Sequence, residues 1–156
     1  MRRWIVYALV MALVLLISPV PKNDVGELKP VELLYVHYGD AGKLWVETDT
    51  GDRGMGETLE EALGDLKATA SGVIFLDTAD YLILHKNAAF LLPQLWKVLR
   101  PATQVCLGNG IGEDTPAFLA AHKPGVTLND IRSGAWAMPT LTRIEERYRL
   151  EYESGF

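Results

Sequence analysis

From residue 31 onward the apolar positions come in short bursts, and the spacing within them switches between two periods. Leu59, Ala62, Leu63, Leu66 and Ala70 recur at steps of three, four and seven, which lines them along one face of a helix. Thr58 with Glu61 three residues on fits a capping box, and Gly72 stands where a left-handed cap would close the last turn. Glu60, Glu61 and Asp65 toward the start and Lys67 toward the end suit the helix dipole. After Gly72 the period shortens. Residues 73–76 and 81–84, separated by Asp77-Thr78-Ala79-Asp80, are short, apolar and rich in β-branched and aromatic side chains, which predicts interior strands.

On the upstream side, residues 31–38 and 43–50 flank Gly39-Asp40-Ala41-Gly42 as the two arms of a hairpin, with Leu44 and Val46 alternating with Trp45 and Glu47. The glycine-rich residues 51–56 predict a turn with positive φ angles. Downstream, Asn87 offers an N-cap, and residues 88–99 read either as a helix kinked at Pro93 or, the favoured reading, as a short turn and then a fresh helix with Pro93 in its first turn, ending before Pro101. Residues 103–107 form a short apolar strand holding Cys106, followed by a second glycine loop over residues 108–112. Thr115-Pro116 opens a helix that Lys123-Pro124-Gly125 ends, and Thr127 with Asp130 repeats the capping-box spacing before Gly134. Residues 140–144 and 148–152 read as a terminal pair of strands with Tyr148, Leu150 and Tyr152 on one face; a charged amphipathic helix is the alternative. This order predicts an α+β (mixed α/β) fold over residues 31–156, one domain with helices packed on a mixed sheet.

The pattern over residues 56–84, Gly-x-Thr-Leu-x-x-Ala-Leu-x-x-Leu followed by an apolar strand, a Leu-Asp-Thr step and a second apolar strand, resembles the first domain of the Ger(x)C family of spore-germination proteins. It is carried by Gly56, Thr58, Leu59, Ala62, Leu63 and Leu66, with Phe75, Leu76, Tyr81, Leu82, Ile83 and Leu84 following. The opening hairpin is similar too. All of these residues form the fold and none is chemistry. The resemblance implies a non-catalytic part in a membrane-associated assembly, beside integral membrane subunits that respond to germinants. The likeness fades beyond residue 139, and the family's later domains have no counterpart in this sequence.

The N-terminus sets the location. Arg2 and Arg3 precede fourteen uninterrupted apolar residues, 4–17, and the next charge is Lys22. Such a segment is an export signal, with the arginines on the cytoplasmic side. Ile17-Ser18-Pro19-Val20-Pro21 suits signal peptidase poorly, so residues 1–21 read as a retained signal anchor, contacting the membrane through residues 4–20. Cleavage and secretion is the alternative. The resembling family is typically held by a lipidated cysteine after the signal; here that cysteine is missing. Residues 22–30 then read as a linker.

Of 156 residues, 49% are hydrophobic and 22% charged, which excludes general disorder and leaves room for one ordinary core. Setting Arg2 and Arg3 aside lowers the 15 basic residues to 13 against 20 acidic ones, a balance that argues against a nucleic-acid surface. The single cysteine, Cys106, rules out an internal disulfide and a multi-cysteine metal site. Candidate chemistry is sparse. Cys106 is a nucleophile only if a histidine meets it, and His37, His85 and His122 lie on separate elements without zinc-binding spacing. Neither glycine loop has a P-loop's Gly-Lys-Ser/Thr ending, and both are flanked by acidic residues. Asp77 and Asp80 on one turn carry no sign of a shared proton; Asp77 and Thr78 suit local backbone bonding. No catalytic, cofactor-binding or metal-ligating set is expected. The residues singled out as a possible interaction surface are Trp45, Trp136, Met138 and Tyr152. A small-ligand pocket between the glycine loops and the sheet edge, and an enzyme using Cys106, stand as the rival functions.

Overall fold

Leu33, Leu34, Tyr35 and Val36 are all buried, and so are Tyr81, Leu82, Ile83 and Leu84. Strands apolar at every position need cover on both faces, which is the setting of a parallel sheet flanked by helices. The computed structural model describes residues 28–134, 137–144 and 147–152, and that is the arrangement it has. In chain order the elements are β1 (Leu28–Pro30), β2 (Leu33–Tyr38), β3 (Leu44–Thr48), β4 (Arg53–Gly56), α1 (Leu59–Thr69), β5 (Val73–Phe75) and β6 (Tyr81–Leu84). A 3-10 stretch (Lys86–Leu91) then leads into α2 (Leu92–Leu95), followed by β7 (Gln104–Gly108), α3 (Thr115–Ala121), α4 (Leu128–Arg132), β8 (Thr140–Ile144) and β9 (Arg147–Glu151).

Seven strands form one mixed sheet in the order β4-β3-β2-β6-β7-β8-β9. The four central strands, β2, β6, β7 and β8, run parallel, and an antiparallel hairpin edge closes each side. The fold is therefore mixed α+β, as the element order predicts. Alternate residues of the central strands feed two cores. Leu34, Val36, Leu82, Leu84 and Val105 meet α1, the 3-10 stretch, α2 and α4 on one face. Leu33, Tyr35, Tyr81, Ile83 and Cys106 meet Leu119 of α3 and Leu141 on the other.

The helix read first from the sequence is α1, and Leu59, Ala62, Leu63 and Leu66 are its buried face. Thr58 Oγ1 accepts from Glu61 N, while the Glu61 carboxylate accepts from Glu57 N and not from the N-cap residue Thr58. The expected left-handed cap at Gly72 is not used: α1 stops at Thr69, and Ala70 is already extended. The capping box of α4 is complete between Thr127 and Asp130, and Pro93 sits in the first turn of α2. Hydrogen bonding from Thr127 holds the Asp130 carboxyl below its ordinary pKa. At residue 85 the capping group is the His85 side chain, not Asn87; the Asn87 amide instead bridges Tyr38 N and O on β2.

Three further expectations are corrected. The glycine-rich stretch 51–56 is a turn only at Gly51, φ +83°, and its remainder is β4, paired with β3. A Cβ on Gly54 would lie 2.3 Å from Ala62 O and 2.4 Å from Leu66 N, so these glycines let α1 lie directly on the strand. Residues 73–75 are not interior: β5 pairs in parallel with β1, outside the main sheet, leaving Val73 and Phe75 exposed. The last three residues of the expected linker are accordingly a strand. At the other end, Thr140–Ile144 and Arg147–Glu151 pair as the antiparallel strands β8 and β9, and the helical alternative is excluded for them.

Candidate functional site

Among the described residues outside the two cores, Leu28, Val73 and Phe75 are apolar, exposed and grouped on the β1-β5 ribbon. Ile74 is buried in the first core, so strand alternation turns its neighbours outward. The free side of β5 borders an open groove of about 610 Å³, completed by Lys67 of α1 and by Lys97 and Val98 beyond α2. Side-chain bonds fix the ribbon to the rest. Thr78 Oγ1 meets Val31 N and O at 3.1 Å each, and Lys29 Nζ lies 3.3 Å from Asp52 on the β3-β4 turn.

Hydrogen bonding from Thr50 at 2.7 Å outweighs the opposing effect of burial and, with help from the Lys29 ammonium, holds the Asp52 carboxyl below its ordinary pKa. A depressed folded-state pKa contributes stability above the unfolded value and loses it as pH falls. The urea midpoint is therefore expected to drop as pH is lowered from about 5 to about 2, and to drop less in Asp52→Asn. An equal drop in both would show that Asp52 does not couple ribbon and turn.

A second concavity, of about 450 Å³, lies between the second glycine loop and the β8-β9 hairpin, lined by Asn109, Gly110, Ile111, Leu141, Arg143 and Tyr148 among others. Arg143 lies over the Tyr148 ring, 5.5 Å from its centroid, and the Tyr148 hydroxyl accepts from Thr115 Oγ1 at 2.9 Å. Nothing in the sequence pattern marks Arg143, because an arginine on an edge hairpin reads as a solvated charge.

The residues singled out beforehand do not converge. Trp45 is half-buried; its indole lies so close over the β2-β3 turn that a Cβ on Gly39 would come within 2.9 Å of Nε1. Met55, its exposed register partner on β4, extends that surface. Met138 packs against the first core. Tyr152 is exposed and donates its hydroxyl to Pro124 O, next to β9. From β3 to β9 is five strand spacings, about 24 Å, so Trp45 and Tyr152 belong to different surfaces. Trp136, the expected anchor over residues 1–21 and the first part of the linker, 22–27, lie outside the described residues. Among the described residues no helix is long and apolar enough to cross a membrane.

Cys106 is buried at the centre of β7, where burial pushes its thiol up to about 12. A thiol protonated at neutral pH and shut from solvent is a poor nucleophile. His37 stacks on Tyr35 with Nε2 3.4 Å from Glu47, His85 caps its own turn, and His122 stacks on Phe118. The three histidines are thus placed apart, and no cluster among the described residues is suited to a metal ion. Asp80 pairs with Arg100, not with Asp77, and of the Asp77-Thr78 step it is Thr78 that satisfies the backbone.

Comparison with protein-family models, curated proteins and solved structures gives no match. The class that the coordinates define is a mixed α+β domain with helices on both faces of the sheet.

Proposed function

We propose that this chain is a non-catalytic, membrane-anchored extracytoplasmic domain that binds an integral membrane partner, in the manner of the spore-germination subunits its sequence resembles. The observation that carries the reading is the place of the apolar ribbon in the chain. Leu28 opens β1, and only residues 21–27 separate it from the apolar leader. Seven residues reach at most about 25 Å when fully extended. A leader that stays in the bilayer therefore keeps the exposed Leu28, Val73 and Phe75 close to the membrane surface, within reach of the extracytoplasmic part of a neighbouring membrane protein. Exposed apolar groups clustered in this way mark interaction surfaces. Their occupant is an extended segment of that partner, laid along the free edge of β5 as an added strand.

Fractionation at native expression tests the proposal. The full-length chain is expected in the membrane fraction, resistant to carbonate extraction, open to protease added from outside, and copurifying with an integral membrane protein in mild detergent. A chain recovered from the cytosol, or alone from the membrane, would count against it.

A further inference from the structure

The sheet splits at the carboxyl end of β7. β8 pairs with β9 along all of Thr140–Ile144, but with β7 only through Thr140 and Leu141. Past Leu141 the inner side of β8 faces the loop after β7, and the gap is the 450 Å³ crevice. Where neighbouring parallel strands part at their carboxyl ends, an open α/β sheet has a ready-made ligand crevice, and this volume falls in the range of small-molecule sites.

Several contacts hold the crevice open in one shape. Thr115 Oγ1 accepts from Gly112 N at 2.7 Å and donates to Tyr148, tying the loop, α3 and the hairpin together. A Cβ on Gly112 would come within 2.4 Å of the Tyr148 hydroxyl, so this glycine lets the loop close on the hairpin. The tyrosine ring in turn supports the Arg143 guanidinium. No ion pair among the described residues engages Arg143. The lining thus combines one guanidinium fork, the Asn109 amide, and an apolar wall of Ile111 and Leu141.

We propose that this crevice binds a small organic monocarboxylate with an apolar body, its carboxylate on the Arg143 fork and its body against Ile111 and Leu141. A guanidinium pairs with a carboxylate through two parallel hydrogen bonds. Arg143 is the one cation among the described lining residues, which suits a monoanion better than a multiply charged phosphate. The site stands independently of the membrane-side ribbon, since the two are lined by different elements.

The test uses full-length protein in detergent and three probes: 4-methylpentanoate, its uncharged amide, and inorganic phosphate, each followed by its own NMR line broadening. Saturable binding of the acid is expected, with the amide and phosphate at least about tenfold weaker. Arg143→Gln should weaken the acid by about tenfold or more, and Arg143→Lys by less, because lysine keeps the charge without the fork. Should Arg143→Gln fail to fold, the acid and amide on the unaltered chain decide. Absent or unsaturable acid binding, equal binding of acid and amide, phosphate binding as tightly as the acid, or a folded Arg143→Gln that binds like the parent would each overturn the proposal.

Discussion

Replacing Gly54 with alanine is expected to cost about 3 kcal/mol or more, the upper end of overpacking penalties, although it adds one methyl group. The reason lies in what the methyl would meet. Ala62 O at 2.3 Å, Leu66 N at 2.4 Å and the Leu66 Cα at 2.7 Å are all backbone atoms of α1, and backbone cannot swing aside as a side chain can. Relief requires α1 to lift from β4, which would expose Ala62 and Leu66, both fully buried. Two controls locate the effect. Gly64, on the outer side of α1, has open space around its Cβ position, so Gly64→Ala should be neutral or slightly stabilising. Gly51 lies at φ +83° with nothing near it, so Gly51→Ala should carry only the smaller cost of a left-handed backbone. Urea unfolding of the three variants checks the order, and a Gly54→Ala chain as stable as the parent would mean that α1 does not rest on β4.

Leu82→Ala is expected to destabilise by about 3 to 5 kcal/mol, the range for a leucine removed from a core that cannot collapse. Leu82 is fully buried on β6, with Leu34 of β2 and Val105 of β7 opposite it in register. Strands held on both sides cannot move in to fill the void. The contrast is Phe90, a larger side chain that is 65% exposed and stacks on Tyr38. Phe90→Ala should cost well under half as much. If the two variants gave equal midpoints in urea, the assignment of β6 to the centre of the sheet would fail.

These two variants also mark the limit of what could be read from the chain. α1 was legible because its apolar period, its Thr58 cap and its charge order all point to the same helix. The central strands were legible because continuous apolar runs such as Leu33–Val36 have few other uses. β4 was not, since Gly54 and Gly56 give the local signature of a loop, and the reason for them lies on a helix several residues further on. β1, and the placement of β5, escaped for a related cause. Each is three residues long, and their pairing joins Leu28 to Val73, a contact between distant segments that no local pattern encodes. The outward turn of Val73 and Phe75 follows from that pairing, so a strand read as interior became an exposed edge. Of the candidate sites, the glycine loop beside the crevice was visible, but the rival pocket was drawn between both glycine loops, and the first of them is largely β4 at the opposite edge of the sheet. Arg143 was not visible, because its place beside the crevice depends on β8 outrunning β7.

Photo-crosslinking from the ribbon is the most direct measurement of the proposed function. A benzophenone side chain in place of Phe75, in the full-length protein at native expression, is expected to form an adduct with an integral membrane protein. The same group at Ala120, exposed on α3 across the sheet, should form none. No adduct at position 75, or equal adducts at both positions, would contradict a membrane-side docking ribbon.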